Sequence, residues 1–587
     1  MKTTKYIAAA LLAVMSLSAC EKLLDTQSYT TSNTANFPSS FEDAEMMVTA
    51  IYSNMNHMSS RPSAGTYYYV VEMASDDRFG GSGGQSFDKL RVGGETAFDF
   101  SWNLYYQGIY LANSAIEGLQ LMKDDVKDLE KYNQLLGESY FMRAYNYYEM
   151  GTLFGRVPLI LSTTQDSNSP QVEADVLFGQ IASDLKQAIT LMADKPYNAY
   201  VESGHATKWA AEALMARTFL FYTGFYQKEN LPLAEGGSVS KADVISWIDD
   251  CVAKSGHDLV GDYRNLWPYT NKYTVDDYEY TKGVTGVDGQ PLQWAGNGNK
   301  EEVFVVKYMN YCGYYYPHQE GYSNFYIPFF GFSGKNGTTE DTFPWGNGNG
   351  AGTVNSGLWE EWNTDEPGDL RIQASILSIA DELPGKFASG DITGQWEDCG
   401  YWAKKTMPVL AKAAYERQGN WANSIFWAAD PKFDQANNYG ITNWGGHFQD
   451  LILIRFADVL LMQSELKEDA SGMNRVRARA GLQPVGYSLE ALQRERRHEL
   501  CFEGVRWNDI RRWHIAEQAL SGQNNRAMNN AGADVVLRDG RYAERYKATD
   551  GFFPIPASQI RLSAGVLEQN KGWKEGDDYL YTVWNFD

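Results

Sequence analysis

Apolar residues recur at steps of three and four along the N-terminal third of the chain, the spacing that gives a helix one buried face. This pattern predicts helices over residues 41–55, 105–119, 136–147, 178–192 and 209–220. Their alanine-rich faces would let neighbouring helices approach closely, so stacked helix hairpins of the tetratricopeptide type are expected, although no clean 34-residue repeat is present. The predicted fold class is therefore mainly α.

The helical pattern stops near residue 260, and residues 260–360 are instead rich in Gly, Asn, Tyr and Trp. Only residues 303–306 have the pattern of a short strand. An irregular segment of this length is usually functional or disordered, and its aromatic content argues against disorder. We therefore predict a large, irregular and loop-rich subdomain beside the helices.

Helical patterns return near the C-terminus. Residues 451–466 are strongly apolar and predict one helix, and residues 473–482 predict a second that ends before Pro484. A long, highly charged helix is expected over residues 489–513. Two prolines predict an extended segment over residues 552–556.

The charged helix carries arginines interleaved with carboxylates, which favours a structural network of ion pairs over a nucleic-acid surface. Arg496 and Glu499, like Glu503 and Arg506, are three residues apart and could pair within the helix. The predicted organisation is a helical region over 41–260, a loop-rich ligand-binding region over 261–450 and a C-terminal helical region with an extended tail over 451–587, packed as one unit.

The first twenty residues are typical of a bacterial lipoprotein signal. Lys2 and Lys5 precede an apolar run over residues 7–17, and the run leads into small residues and Cys20. Residues 1–19 are thus predicted to be a signal peptide, Cys20 the lipidated residue and 20–40 a tether. Loss of the two lysines changes the formal charge from −23 to −25. No later stretch has eighteen consecutive apolar residues, so no membrane-spanning helix is predicted.

Composition narrows the functional classes further. The chain has 587 residues and a formal charge of −23, which argues against nucleic acid as a partner. Aromatic residues make up 14% and 54 residues are Gly, so some aromatic rings are expected to lie outside the cores. The remaining cysteines lack C-x-x-C spacing, which argues against a zinc or redox site and leaves disulfides open: Cys251, Cys312, Cys399 and Cys501.

Four motifs, in order along nearly the whole chain, make it similar to the SusD/RagB family of surface lipoproteins. They are RAY at 143–145 with LFGRVPL at 153–159, LIRFADVLLM at 453–462 with NRVRARAGL at 474–482, ERRHEL at 495–500 with RWNDIRR at 506–512, and FPIP at 553–556 with QN at 569–570. The last motif usually continues with Pro, Gly and Tyr. Here Lys571, Gly572 and Trp573 follow instead, so the proline is lost.

The resemblance implies a SusD-like fold of tetratricopeptide-like hairpins with a loop-rich remainder, and a protein without catalytic activity. It implies glycan binding at the outer membrane, with the lipid anchor holding the protein on the cell exterior. The implied partner is a SusC-like, TonB-dependent transporter that imports the glycan. Some members of the family handle peptides instead. The negative charge favours a neutral oligosaccharide or polysaccharide, and the motifs leave its identity open.

Glycan sites combine flat aromatic rings with side chains that exchange hydrogen bonds with hydroxyl groups. Two Gly-rich regions offer both, residues 76–103 and 290–345, and the family resemblance implies that the loop before the second predicted helix lines the ligand site. The predicted ligand-binding residues are Arg78, Lys89, Trp102, Asn103, Trp294, Tyr315, Tyr322 and Trp345. For each ring the alternative is a place in the core, and for Arg78 and Lys89 a solvated surface charge.

Two other functional classes are weighed against glycan capture. A glycoside hydrolase needs only two suitably placed carboxylates, but no sequence feature singles out a pair, and neither G-x-S-x-G nor H-E-x-x-H occurs. We therefore predict no enzyme. An adhesin or peptide-binding lipoprotein is the alternative. Glycan capture requires no cofactor. The sequence leaves open whether a structural Ca²⁺ is bound, and it has no EF-hand spacing that would indicate one.

Overall fold

Helices fill the N-terminal part of the protein, as the apolar spacing predicts. In the computed structural model they are α1 (Phe41–Asn56), α2 (Tyr67–Ala74), α3 (Asp99–Leu121), α4 (Leu129–Phe154), α5 (Ala174–Leu191), α6 (Lys208–Phe225) and α7 (Lys241–Lys254). Ser40 and Ser240 begin α1 and α7 with capping boxes, in which each hydroxyl accepts from the backbone N–H of an aspartate three residues later. All five helices predicted from periodicity are confirmed.

The structure describes residues 38, 40–61, 63–80, 87, 90, 92, 96–123, 126–201, 203–308, 323–332, 342–346, 348–383, 397–410, 447–523, 526–530, 533–536 and 541–573. Cys20, Lys89, Cys312, Tyr315 and Tyr322 lie outside these ranges. None of the helices in these ranges combines the length and the hydropathy that a membrane span requires. Cys251 and Cys501 are buried free thiols.

Small residues bring successive helices close together. A β-carbon on Gly137 of α4 would lie 2.6 Å from Met192, which follows α5, and one on Gly151 would lie 3.0 Å from Leu177 of α5. On α6 the buried face includes several alanines, among them Ala210 and Ala213. Side chains interdigitate where the backbones approach, so the hairpins stack into a continuous core.

The short strands β1 (Leu231–Pro232) and β2 (Ser238–Val239) pair antiparallel between α6 and α7. The loop-rich region that follows has short elements in its described part. They are β3 (Glu302–Val306), α8 (Tyr326–Phe330), α9 (Ser356–Asp365), α10 (Arg371–Ser375), β4 (Ile376–Ser378), α11 (Ile379–Glu382), β5 (Glu397–Asp398) and β6 (Tyr401–Ala403). The strand predicted over 303–306 is confirmed as β3. A second hydrophobic cluster lies here and is built largely from aromatic rings, including Tyr263, Trp267 and Trp402.

The C-terminal elements are β7 (Leu451–Arg455), α12 (Phe456–Lys467), α13 (Ser471–Arg479), α14 (Leu489–Leu500), α15 (Arg506–Arg512), α16 (Ala516–Ser521), β8 (Ala527–Asn530), β9 (Ala533–Val536), α17 (Tyr542–Thr549) and α18 (Ala557–Leu562). The helix predicted over 451–466 is wrong for its first five residues. These pair antiparallel with β3, so a distant partner takes their backbone hydrogen bonds. Residues 552–556 have no regular secondary structure, consistent with the predicted extended segment.

The single charged helix predicted over 489–513 is also wrong. It breaks between α14 and α15, where Phe502 and Gly504 have positive φ angles of 63° and 73°. The predicted ion-pair network exists, but its partners lie on other elements. Arg496, for example, pairs with Asp458 of α12 and Asp509 of α15 rather than with Glu499.

Both ends of the described chain share one core. Its buried residues run from Ala44 on α1 to Trp573 near the C-terminus, and Phe553 and Ile555 of the extended segment lie within it. Phe553 contacts Phe98 before α3 at a ring-centroid distance of 5.4 Å. The C-terminal segment therefore packs beside the start of α3, where it helps to form the cleft described next.

Candidate functional site

A cleft of about 620 Å³ lies along the N-terminal half of α3. This volume is within the range of small-molecule sites. Three segments line it, from α3, from the loop after α4 and from the end of α18 with the turn that follows: Trp102, Asn103, Tyr106, Ile109, Tyr110, Pro158, Ile160, Ser162, Thr163, Gln165, Ser167, Asn168, Gln559, Leu562, Ser563 and Leu567. Two predicted ligand residues, Trp102 and Asn103, are thus brought together at the cleft.

Helical spacing aligns the aromatic residues of this cleft. Trp102, Tyr106 and Tyr110 are each four residues apart on α3 and therefore share one helix face. Their exposure differs along the row, since Trp102 is only 4% exposed whereas Tyr110 is 55% exposed. Trp102 packs against Tyr106 and Phe154, with ring centroids 5.2 and 5.4 Å away. The row thus runs from a buried ring at one end to an open ring at the other.

Hydrogen bonds hold the loop wall in place. The hydroxyl of Tyr106 donates to the carbonyl of Pro158 at 2.8 Å, and the amide of Asn113 donates to that of Ile160 at 3.0 Å. Burial raises the pKa of Tyr106 well above its usual value, so this phenol remains a donor. Farther along, the amide of Asn168 donates to the carbonyl of Ser563 at 3.3 Å and links the two non-helical walls.

The described lining contains no Asp, Glu, Lys, Arg or His side chain. It combines aromatic and aliphatic surface with hydroxyl and carboxamide groups. The side chains of Asn103, Tyr110 and Gln559 make no hydrogen bond to the rest of the described protein, and Asn103 and Tyr110 are exposed. Such a cleft can stack an apolar face of a ligand and exchange hydrogen bonds with uncharged polar groups.

Arg78 and Trp345 do not face a ligand site, which corrects the prediction for both. Arg78 is fully buried, pairs with Glu72 at 2.7 Å and lies over the rings of Phe330 and Phe502. Trp345 is fully buried in the second cluster, with its indole ring against two tyrosines. The fold uses the guanidinium and the indole to join segments that are distant in sequence.

Trp294 is half-buried and lines a separate, smaller cavity of about 50 Å³. It packs against the second cluster, so the structure does not bring it to the cleft beside Trp102 and Asn103. The two predicted regions nevertheless meet in the core, because the guanidinium of Arg78 lies 4.3 Å from the ring centroid of Phe330. Lys89, Tyr315 and Tyr322 lie outside the described residues.

Sequence reasoning missed Tyr110 and Gln559. Tyr110 has a detectable signal, because it repeats the four-residue spacing of Trp102 and Tyr106 on a predicted helix. Gln559 has none, since it comes from a segment more than 400 residues away in the chain. Only the packing of the C-terminal segment against α3 places its carboxamide on the cleft.

One group in the described residues has the spacing of metal ligands, formed by Glu366, Asp369 and His498. The arginines around this group disfavour the binding of a metal cation. Glu366 pairs with Arg477, and both carboxylate oxygens of Asp369 accept hydrogen bonds from the guanidinium of Arg371. Burial, followed by the charge of nearby arginines, lowers the pKa of His498 well below its usual value. A metal ion would have to displace these ion pairs, so the arrangement is structural.

Two protein-family models match the chain. Residues 22–220 match a model described as starch-binding and associating with the outer membrane, and residues 360–573 match the model of the SusD family. Among curated proteins, a SusD-like protein P2 of Formosa agariphila is 24% identical over 498 residues, which is 80% of each chain. A SusD-like protein of Bacteroides ovatus is 23% identical over 75% of this chain and 70% of its own length.

Solved structures have the same fold. A laminarin-binding SusD-like protein aligns with a TM-score of 0.66 and 22% identity, over 91% of this chain and 99% of its own. Surface glycan-binding protein A from Bacteroides thetaiotaomicron, in complex with laminarihexaose, aligns with a TM-score of 0.61 and 17% identity, over 90% and 99% of the two chains. The mainly α architecture with tetratricopeptide-like hairpins is therefore the fold of these proteins.

Proposed function

Because this chain belongs to the SusD/RagB family, we propose that it binds an oligosaccharide or polysaccharide at the bacterial surface and delivers it to a SusC-like, TonB-dependent transporter. The single observation that carries the proposal is the cleft along α3. Its aromatic row suits the apolar face of a sugar ring, and its amides and hydroxyls suit the sugar hydroxyls.

Capture, rather than cleavage, is the role that this lining supports. Glycosidic hydrolysis uses a pair of carboxylic acids beside the scissile bond, and the described lining of the cleft supplies neither. Binding would instead rest on stacking and on exchangeable hydrogen bonds, which also permit release. Release is what a protein that passes its ligand to a transporter needs.

The proposed location is the outer membrane, with the protein facing the cell exterior. The sequence that ends at Cys20 supports lipid anchoring, and the family model that matches residues 22–220 is described as associating with the outer membrane. Several acyl chains on this cysteine would hold the protein stably, since one chain binds only marginally.

Native gel electrophoresis of the protein without residues 1–20, in gels that contain single polysaccharides, tests the proposal. Laminarin and xyloglucan are natural first choices, because related structures are described with laminarihexaose and a xylogluco-oligosaccharide. We expect retardation by at least one polysaccharide. Tyr110→Ala should weaken binding roughly two- to tenfold, the value of about 0.5–1.5 kcal/mol that one aromatic contact carries.

Leu121→Ala is the matched control, because Leu121 is an exposed apolar residue of the same helix, outside the cleft. It should behave as the wild type, whereas Asn103→Ala should resemble Tyr110→Ala. Equal retardation of all variants would contradict the assignment of the cleft as the ligand site. Trp294→Ala would then test the other predicted region. Binding of peptides without any glycan would favour the peptide-binding alternative, and release of new reducing ends would favour a hydrolase.

A further inference from the structure

Charged groups lie immediately behind the uncharged lining of the cleft, and several are carboxylates. Glu117 of α3 accepts hydrogen bonds from the backbone N–H and the hydroxyl of Thr163, at 2.8 and 2.5 Å. Asp166 accepts one from the backbone N–H of Asn168 at 2.9 Å. Both donors line the cleft, so two negative charges stand one hydrogen bond away from its surface.

A third carboxylate stands at the start of α3. Asp99 accepts a hydrogen bond from the hydroxyl of Ser558, directly before the lining residue Gln559. It also occupies the first helical turn, where its charge offsets the positive end of the α3 dipole. The helix N-terminus beside Trp102 and Asn103 is thereby prevented from attracting an anion.

Cations near the cleft are fewer among the described residues. Arg143, whose guanidinium donates to the carbonyl of Leu161 in the loop wall, pairs with Asp184 at 2.7 Å. Arg156, which precedes the loop wall, pairs with Glu173 and with Glu568, at 3.2 and 3.1 Å. Arg561 is exposed beside the lining residue Leu562, and it also has an interaction partner. In the described part of the chain, carboxylates therefore outnumber guanidinium groups around the cleft, and the formal charge of the whole chain is already −23.

We propose that the cleft selects uncharged glycans and rejects those that carry uronate or sulfate groups. The inference rests on the proposed function and adds a ligand class to it. An anionic sugar entering the cleft would lose part of its hydration without gaining a cationic partner. It would also approach the carboxylates of Asp99, Glu117 and Asp166, and like charges brought together weaken binding.

Isothermal titration calorimetry with paired ligands tests this selection. Laminarin, xyloglucan, xylan and mannan are each compared with a derivative partly oxidised to carboxylate at primary hydroxyls or carboxymethylated, and alginate and polygalacturonate are added as natural polyanions. At about 20 mM salt we expect the carboxylated form of the bound glycan to bind at least about tenfold more weakly than its parent. At 0.5 M salt the difference should shrink, because screening shortens the reach of the carboxylates.

The double variant Glu117→Gln with Asp166→Asn keeps an acceptor oxygen at both positions and removes both charges. The ratio of neutral to carboxylated affinity should fall by threefold or more in this variant. Asp276→Asn, which removes an exposed carboxylate outside the cleft, should leave the ratio as in the wild type. The ratio itself is the readout, so a general loss of affinity in the double variant does not mimic the effect.

The outcomes separate this inference from the proposed function. Equal binding of a neutral glycan and its carboxylated form, or binding of alginate or polygalacturonate alone, would overturn the selection while leaving glycan binding intact. An unchanged ratio in the double variant would show that these carboxylates do not impose the selection, and would also overturn it. Absence of binding to every ligand would overturn the proposed function instead.

Discussion

Glu499 of α14 lies at the centre of the buried ion-pair network, and its replacement by Gln is the sharpest test of what that network contributes. The carboxylate is fully buried and accepts hydrogen bonds from three guanidinium groups, those of Arg371, Arg455 and Arg479. Burial alone would raise the pKa of Glu499, but these three groups hold it well below the ordinary value. Glu499→Gln keeps the size of the side chain and removes the charge.

The loss of unfolding free energy in Glu499→Gln depends on the carboxylates that remain paired with the three arginines. Removing one member of a buried pair typically costs about 3–5 kcal/mol, because the other charge is left uncompensated. Here Arg371 keeps Asp369 and Glu495, and Arg455 keeps Glu301 and Glu503. Among the carboxylates of the described residues, Arg479 keeps only Glu301. Because the arginines keep some of their carboxylate partners, we expect the free energy of unfolding to fall by about 3 kcal/mol, the lower end of this range.

Urea unfolding followed by tryptophan fluorescence measures this loss. The m-value grows with the surface exposed on unfolding, and at about 6 kcal/mol per molar for a chain of 587 residues the midpoint should fall by about 0.5 M. Asp550→Asn is the matched control, since Asp550 pairs with Lys571 on the surface and an exposed pair contributes at most about 1 kcal/mol. A midpoint for Glu499→Gln no lower than that of the control would refute the reasoning that the buried network stabilises this fold.

Two further predictions concern the helical core. Burial raises the pKa of Glu149 on α4 to about 8, so between pH 4.5 and 8 the folded protein holds a proton that the unfolded chain releases, and stability falls as pH rises. In urea titrations at several pH values, Glu149→Gln should make the free energy of unfolding depend less steeply on pH. A variant curve parallel to that of the wild type would contradict a raised pKa for Glu149. Gly472→Ala should cost about 1–3 kcal/mol, because a β-carbon there would lie 2.3 Å from the carbonyl oxygen of Leu460 on α12. Gly486→Ala, with open space at its β-carbon, is the control, and equal thermal midpoints for the two variants would contradict the close approach.

Local patterns in the sequence predict much of the helical part. Helices such as α1 and α6 follow from apolar spacing and begin at hydroxyl residues that cap their first turns, and both are present as expected. The row formed by Trp102 and Tyr106 is equally local, since it needs only the period of a helix. These features depend on neighbours within a few residues, and such neighbours are legible in one sequence.

The family motifs are informative for a different reason. Their charged residues, including Arg455 and Glu499, are buried and paired across elements, so they mark the fold rather than a ligand. The sequence therefore supports the family and fold firmly while leaving the glycan open. Ligand choice depends on the walls of the cleft, which come from loops.

Contacts between segments distant in sequence decided the features that local patterns did not predict. Residues 451–455 form a strand because β3, about 150 residues earlier, takes their hydrogen bonds, and their apolar side chains would suit a helix equally well. Arg78 and Trp345 look like exposed ligand residues in their Gly-rich segments, yet tertiary packing buries both. The cleft itself needs α3, the loop after α4 and the C-terminal segment in one place. A sequence specifies the propensity of each segment, but whether a ring or a charge reaches solvent depends on what the fold packs against it.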